Sequence, residues 1–162
     1  AGLAGAFNGS EGTLACWIKV ANAGMYTDAS AYRIAAFGAD ANNEVRLFIQ
    51  AAFSGNNRVS LLYKAGGTSK FVIPATTSLL FQHIAITWSK AADQVKVYLA
   101  GAQSGATQTG LGVWAGALAT TTTVIGAATT TPTQVWNGAL AHAAIWNTPL
   151  SAAQIATLAV VP

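Results

Sequence analysis

Apolar and polar positions alternate with a period of two along most of this chain. In HIAITW at 83–88, two isoleucines and a tryptophan share one face, while His83, Ala85 and Thr87 share the other. QVKVYL at 94–99 repeats the alternation, and the intervening SKAAD is short enough for a hairpin loop. The pattern predicts half-buried antiparallel strands with one polar face.

The same alternation predicts seven further strands, separated by turn sequences such as GADANN, SGNN and TTTPT. They cover residues 13–20, 31–38, 44–52, 57–64, 69–73, 121–127 and 138–146. Many short strands at this spacing favour a sandwich over a βαβ fold. A chain of 162 residues has the length of one domain, which we assign to residues 1–162.

Only the C-terminal end carries a helical pattern. Ser151 and Gln154 form the S-x-x-Q pattern of a capping box, and Pro149 lies just upstream. Ile155 and Leu158 supply an apolar stripe. The predicted fold class is therefore all-β: a two-sheet antiparallel jelly-roll sandwich with one short C-terminal helix.

Composition excludes several classes of protein. Hydrophobic residues make up 52% of the chain and charged residues 8%, which excludes disorder. No apolar run approaches the roughly 20 residues that a spanning helix needs, so we expect no membrane insertion. The eight Lys and Arg residues are scattered singly without a phosphate-tracking stripe, so we expect no nucleic acid partner.

Charge is distributed unevenly along the chain. No Asp, Glu, Lys or Arg occurs after Lys96, although a free surface normally carries both signs of charge. Two explanations are open: a neutral, threonine-rich surface, or a surface covered by another chain. Cys16 is the only cysteine, which excludes an internal disulfide and favours a small buried hydrophobic side chain.

Candidate catalytic groups are few. Glycoside hydrolysis requires two carboxylates facing each other, roughly 5 to 10 Å apart. The five acidic residues all fall in or beside predicted turns: Glu11, Asp28, Asp40, Glu44 and Asp93. His83 and His142 lie within strands, and no G-x-S-x-G elbow accompanies them, so structural roles are expected. We therefore predict that the protein is not an enzyme.

The DANNE sequence at 40–44 is a candidate calcium loop. Asp40, Asn42 and Glu44 supply the oxygen donors that calcium prefers. The alternative is a tight turn, because Asn and Asp bond their own main chain readily. No other cofactor is expected.

The NGS triplet at 8–10 matches an N-glycosylation acceptor, with Asn8 as the modified residue. The alternative is an Asn-Gly turn. Modification also depends on whether the host has the machinery.

Two tryptophans are candidates for saccharide binding. VWAGALA at 113–119 returns as VWNGALA at 135–141, and these glycine-containing surroundings favour surface positions for Trp114 and Trp136. Aromatic faces stack on the apolar side of sugars while amides bond the hydroxyls, so Trp114, Trp136 and Asn137 are the expected ligand-binding residues. The alternative is a duplicated way of seating Trp in the fold. Trp88 is expected in the core, and Trp146 is expected to pack against the terminal helix.

Three segments together resemble the laminin-G-like, concanavalin-A-like jelly-roll domains. They are GTLACWIKV (12–20), FQHIAITWSKAADQVKVYLAGAQSG (81–105) and WNGALAHAAIWNTPLSAAQIATLA (136–159). The resemblance implies two antiparallel sheets of about six or seven strands each, one of them concave. Such domains occur in lectins, adhesins, matrix proteins, glycan hydrolases and phage structural proteins, so the fold leaves function open.

Two departures from that family pattern change the expectations. FNGSEG at 7–12 passes almost directly into the first tryptophan strand, which implies a trimmed sandwich with a less covered edge. Ala141 and His142 stand where many relatives carry acidic residues, which weakens the calcium expectation that the resemblance carries.

Three functions follow from these observations. The first is a non-catalytic, lectin-like binding or adhesion module on a virion (tail fibre or capsid decoration) or a secreted surface protein, with a glycan or cell-surface polysaccharide as ligand. The second is a self-assembling structural subunit of an extracellular filament, fibre or shell, in contact with identical or other subunits. The third and least favoured is a glycoside hydrolase, because no facing pair of carboxylates is predicted. An extracellular or virion location is expected from the low charge and Thr-rich loops.

Overall fold

A computed structural model describes residues 3, 7–49 and 58–160. Within them the chain forms ten strands, one α-helix and a 3₁₀ turn at Ala23–Tyr26. The elements are β1 (Glu11–Val20), β2 (Tyr32–Asp40), β3 (Asn43–Ile49), β4 (Val59–Ala65), β5 (Thr68–Val72), β6 (Gln82–Ser89), β7 (Gln94–Leu99), β8 (Ala102–Gln103), β9 (Val124–Ile125), β10 (Gly138–Trp146) and the helix α1 (Ala152–Leu158).

The strands form two five-stranded antiparallel sheets. Sheet A has the order β10-β1-β6-β7-β8, and sheet B has the order β5-β4-β3-β2-β9. The predicted all-β antiparallel sandwich with a short C-terminal helix is confirmed, but the described residues form five strands per sheet, fewer than the six or seven that the resemblance implies. Parts of two predicted strands, at 50–52 and 57, lie outside the described residues. The predicted strand at 121–127 forms only at Val124–Ile125.

The hydrophobic core lies between the two sheets. Leu14 and Ile84 of sheet A and Val45 and Leu61 of sheet B are almost fully buried there. Trp88 is the largest completely buried side chain, and its Nε1 donates to the carbonyl of residue 8 at 3.3 Å. Period-two alternation places these side chains on the facing surfaces of the sheets.

Gly12 is required by the packing of Trp88. A Cβ at position 12 would lie 2.4 Å from the Trp88 ring and 2.8 Å from the carbonyl oxygen of Trp146. We expect Gly12→Ala to lower the free energy of unfolding by about 1–3 kcal/mol through overpacking. Gly38→Ala is the matched control in another strand, because its nearest contacts would be at 3.4 Å. Urea unfolding measures both variants, and equal losses of stability would contradict the packing described for Gly12.

The outer face of sheet A corrects one prediction from the sequence. His83, Ala85 and Thr87 were expected on a polar, solvated face, but they are 2%, 0% and 4% exposed. The helix α1 lies over this face, where Ile155 packs against a small cluster that includes Ala85 and Tyr98. The strand β6 is therefore buried on both sides.

Hydrogen bonds fix the helix on sheet A. The predicted capping box is present: the Ser151 hydroxyl accepts from the Gln154 backbone N–H at 3.3 Å, and the Gln154 side-chain oxygen accepts from the Ser151 N–H at 2.8 Å. Upstream, the buried Thr13 hydroxyl donates to the Thr148 carbonyl and accepts from the Leu150 N–H, both at 2.8 Å. The chain entering α1 is thus attached to β1.

The charge-free part of the sequence contributes to both edges of sheet A, with β10 at one edge and β8 at the other. At the first of these edges, β10 ends sheet A and β9 ends sheet B. An apolar cleft of about 200 Å³ opens between them, lined by residues that include Leu14, Cys16, Phe37 and Leu140. The part of the chain that the structure describes contains no helix with the length and hydrophobicity of a membrane span.

Cys16 lines this cleft with only 2% of its surface exposed. Burial raises the pKa of the Cys16 thiol to about 12, so almost no reactive thiolate exists at neutral pH. We expect an aromatic disulfide reagent to leave the native protein unlabelled and to titrate one thiol after unfolding in urea. Rapid labelling of the native protein would contradict this burial.

Candidate functional site

A pocket of about 240 Å³ opens on the outer face of sheet A, beside the helix α1. Three adjacent strands supply its floor and rim, and the end of α1 closes one side. Its lining combines aromatic and imidazole rings with small residues: Ala15, Trp17, His83, His142, Ala143, Ala144, Trp146 and Leu158. We call it the Trp/His pocket.

Trp17 and His83 form the floor of the Trp/His pocket. Trp17 on β1 lies directly opposite His83 on β6 and Ala141 on β10, so these side chains share one face of the sheet. The two rings contact edge to face, with centroids 5.6 Å apart. Trp17 is 8% exposed, which leaves only part of its ring open to the pocket.

His142 is placed at the rim by an irregularity in β10. The pairing with β1 shifts between Ala15 and Trp17, where β10 contributes an extra residue as a β-bulge. His142 takes the left-handed backbone conformation, with φ at 49°, and its side chain is exposed. A non-glycine residue held in this region costs free energy, and such residues concentrate at functional sites.

His83 has an unsatisfied polar atom. Its Nδ1 is buried and has no hydrogen-bond partner. Burial lowers the pKa of His83 below its ordinary value of 6.5, so the ring is neutral at pH 7 and carries one donor and one acceptor nitrogen. A buried polar atom without a partner requires an explanation, and a bound ligand group is one.

The neutral state of His83 predicts an acid-sensitive fold. The unfolded chain takes up this proton near pH 6.5, whereas the folded chain does so only at lower pH. The free energy of unfolding should therefore fall as the pH drops below 6.5. Chemical unfolding from pH 7.5 to 5 measures this slope. His83→Phe should flatten it, and an unchanged slope in the variant would contradict the assignment.

Trp146 and Leu158 form the wall of the Trp/His pocket nearest the helix. Trp146 is half-buried and packs with Leu158 against the cluster around Ile155. Part of its ring therefore remains available as an apolar surface. Floor, wall and rim together offer aromatic carbon surfaces with two imidazoles between them, a combination that binds ligands having both apolar and hydroxyl faces.

The tryptophan pair predicted from the sequence is placed differently. Trp136 is 8% exposed and belongs to the core, and its Nε1 donates to the Ala139 carbonyl at 3.4 Å, so the expectation that it lies on the surface is wrong. A Cβ at Gly138 would lie 2.2 Å from the Lys19 carbonyl oxygen and 3.1 Å from the Trp136 ring, so glycine lets both groups approach this position. Asn137 is exposed.

Trp114 is half-buried rather than free. Its ring packs on Phe7 and Tyr63, with centroids 5.2 and 6.2 Å away, and its Nε1 donates to the Gly116 carbonyl at 3.0 Å. Saccharide binding by Trp114, Trp136 and Asn137 stays a prediction. The core position of Trp136 leaves little of its ring for stacking.

The residues of the predicted calcium loop form a turn. The Asp40 carboxylate accepts from the Asn42 backbone N–H at 2.7 Å and from the Asn43 side-chain amide at 3.0 Å, and these bonds lower the pKa of Asp40. Glu44 pairs instead with Arg46 at 3.3 Å. No group of three or more His, Cys, Asp or Glu residues in the described part of the chain could hold a metal ion. Calcium binding stays a prediction.

Asn8 also takes part in a local turn. Its side-chain oxygen accepts from the Ser10 N–H at 3.0 Å, and its amide donates to Glu11 at 3.3 Å. Asn8 is half-buried. Glycosylation of Asn8 stays a prediction.

The carboxylates of Asp93 and Asp28 accept hydrogen bonds from groups outside the Trp/His pocket. Asp93 accepts from the backbone N–H groups of Gly110 and Leu111 at 2.7 and 2.8 Å, which lowers the pKa of Asp93 and keeps it ionised. Asp28 accepts from the Tyr32 hydroxyl at 2.6 Å. None of the described residues lining the Trp/His pocket is acidic. A general acid would need a raised pKa, the opposite of what Asp40 and Asp93 show.

The sequence predicted that Trp146 packs against the terminal helix, which is confirmed, and it gave both histidines structural roles. The signal that could have located the Trp/His pocket is the face of the strand on which Trp17 lies. In TLACWIKV it alternates with Ala15 and Lys19, whereas Leu14 and Cys16 point to the core.

Comparison with known proteins supports the architecture. A comparison with curated proteins finds no match. Among solved structures, a pentraxin from Limulus polyphemus is 18% identical, with a TM-score of 0.65 over 93% of this chain and 70% of that chain. Domain 4 of an extracellular arabinanase from Geobacillus stearothermophilus, solved with arabinotriose, is 18% identical, with a TM-score of 0.61 over 93% and 67%.

A third similar structure is a carbohydrate-binding domain, the CBM40 of a Ruminococcus gnavus sialidase. It is 13% identical, with a TM-score of 0.65 over 93% of this chain and 83% of that chain. At such identities these likenesses establish the fold alone. A family model for the concanavalin A-like lectin/glucanases superfamily matches residues 3–156, nearly the whole chain. The chain belongs to the concanavalin A-like lectin/glucanases superfamily.

Proposed function

We propose that this protein is a non-catalytic carbohydrate-binding module whose ligand occupies the Trp/His pocket. The observation that carries the proposal is the pocket itself, where Trp17 and Trp146 present carbon surfaces beside the unsatisfied His83 imidazole. A pyranose or furanose ring has an apolar face and a hydroxyl edge, and this lining matches both.

Three groups have distinct roles in the proposed complex. The exposed part of the Trp146 ring packs against the C–H face of the sugar. His83, neutral at pH 7, exchanges hydrogen bonds with sugar hydroxyls at the floor. His142, exposed at the rim, contacts the hydroxyls of the next sugar unit and contributes to selectivity.

The similar structures favour binding over catalysis. They include a CBM40 domain described with bound α2,3-sialyllactose, an arabinanase domain with arabinotriose and a botulinum neurotoxin binding domain. Glycoside hydrolysis needs a pair of facing carboxylates, and none of the five carboxylates of this chain lines the Trp/His pocket. We propose a secreted surface protein or a virion, as a tail fibre or capsid decoration, as the setting in which such a module acts in adhesion.

A glycan array tests the proposed function. The full chain should be retained on a subset of glycans, and a soluble form of a retained glycan should compete it off. The same glycans incubated with the protein should release no reducing sugar. Absence of retention across the array would contradict the binding function, and steady release of reducing sugar would contradict the non-catalytic one.

The uncharged edge strand β10 favours a second candidate, a self-assembling structural subunit. β10 spans nine residues without a charged side chain, and no strand among the described residues pairs with its outer edge. An uncharged edge is able to pair with another chain. Sedimentation velocity distinguishes the two candidates: a binding module sediments as a small species, whereas an assembly subunit forms large particles at rising concentration.

A further inference from the structure

A third cavity lies on the outer face of sheet B, on the opposite side of the molecule from the Trp/His pocket. It has a volume of about 130 Å³ and takes its lining from strands β2 and β3 and from the segments around β9. The lining residues are Arg33, Ala36, Phe37, Gly38, Glu44, Arg46, Thr122 and Ala128. We call it the arginine pocket.

Two guanidinium groups share one aromatic ring at this pocket. Arg33 on β2 lies opposite Phe48 on β3, and Arg46 lies two residues before Phe48 on the same face of β3. The central carbons of Arg33 and Arg46 lie 4.9 and 5.1 Å from the centre of the Phe48 ring. These distances are within the range of cation–π contacts, so the ring restrains the positions of both cations.

The hydrogen-bond donors of these arginines are incompletely satisfied. Arg46 Nη1 pairs with Glu44 Oε2 at 3.3 Å, the one ion pair found among the described residues. Arg33 has no carboxylate partner there, although it is only 8% exposed. Arg33 Nη1 and Arg46 Nε are both buried without a hydrogen-bond partner. A buried charged donor without a partner is costly, so each of these atoms requires an explanation.

Charge at the pocket is also unbalanced. Two cations face one carboxylate, that of Glu44. Burial, and then the positive charge of Arg46, lower the pKa of Arg33 to about 10, while Glu44 opposes this effect. Arg33 nevertheless remains charged at neutral pH. One additional negative charge would neutralise the site and occupy the unpaired donors.

We propose that the arginine pocket binds the oxyanion group of an acidic ligand, a carboxylate or a sulfate ester. Planar guanidinium donors match the paired oxygens of such groups, and the cavity accommodates a substituent rather than a polymer segment. An acidic saccharide, such as a uronic acid unit, is the ligand class that carries this group. The arginine pocket lies on the opposite sheet from the Trp/His pocket, so a test of anion binding here is independent of the proposed function.

Calorimetric titration of the full chain tests this site, with glucuronate, sulfate and glucose as probes at constant ionic strength. Glucuronate or sulfate should bind and glucose should not, and the stronger of the two anions identifies the oxyanion. Arg46→Gln should weaken binding about tenfold or more, because a charged hydrogen bond is lost. Lys96→Gln, which removes one charge from sheet A, should leave the affinity unchanged.

A second variant and a direct readout keep the test independent of how well Arg46→Gln folds. Glu44→Gln removes the competing carboxylate and should tighten anion binding. In the wild-type protein, the arginine Nε–H signals in nitrogen-resolved NMR spectra should shift on titration. The proposal is overturned if neither anion binds, if glucose binds equally well, or if Glu44→Gln leaves the affinity unchanged.

Discussion

Trp146→Ala should lower the affinity for a bound saccharide by about thirtyfold, which corresponds to about 2 kcal/mol. Trp146 is the half-buried aromatic wall of the Trp/His pocket, and its truncation removes the carbon surface on which we place the sugar. The measurement is calorimetric titration with the glycan that the array retains most strongly. Thermal unfolding should accompany it, because Trp146 also packs near α1.

Trp114→Ala is the matched control for this prediction. Trp114 is also half-buried, but it contacts Phe7 and Tyr63 and does not line the Trp/His pocket. The control variant should therefore bind the same glycan with unchanged affinity. A result in which Trp114→Ala abolishes binding and Trp146→Ala does not would move the site to the tryptophan position first predicted from the sequence.

Trp88→Ala should reduce the free energy of unfolding by about 3–5 kcal/mol, the largest effect expected of a single substitution in this core. Trp88 is completely buried, its ring stacks near Tyr63 at a centroid distance of 6.0 Å, and its Nε1 holds the chain at Asn8. Domains of this size have only about 5–15 kcal/mol in total, so the variant should be marginally folded at 25 °C.

Urea unfolding followed by tryptophan fluorescence measures the loss in Trp88→Ala. Trp114→Ala serves again for comparison, because its half-buried ring leaves a smaller cavity and should cost less. Equal losses in the two variants would contradict the placement of Trp88 at the centre of the sandwich.

Alternation of apolar and polar residues was sufficient to predict most strands. β7 and β10 coincide with their predicted ranges, and β1, β2 and β6 differ by only a few residues at their ends. Each of these strands has one face on the core, so apolar side chains recur at every second position of its sequence. The capping box likewise located α1 because it is a local signal.

What alternation could not predict was the covering of the outer face. The side chains of His83, Ala85 and Thr87 resemble those of a solvated strand, yet the helix and its cluster bury this region. Which face receives a distant helix depends on tertiary packing and not on the local period. The Trp/His pocket arises from that same packing, at the margin of α1.

The role of the glycines near tryptophan was predicted wrongly for a related reason. The glycine-rich surroundings of Trp136 indicated a surface loop, but Gly138 permits the ring to pack closely. Gly9 does the same for Trp114, since a Cβ there would lie 2.1 Å from the ring. Glycine allows close approach as well as flexible turns, and the sequence does not distinguish the two.

The central claim is that a saccharide binds on the outer face of sheet A beside α1. Chemical-shift mapping tests it most directly, by titrating isotope-labelled protein with the glycan that the array retains best. We predict the largest shifts in the indole signals of Trp17 and Trp146 and the imidazole signals of His83 and His142. Shifts confined to the loops around Trp114, or to sheet B, would contradict the claim.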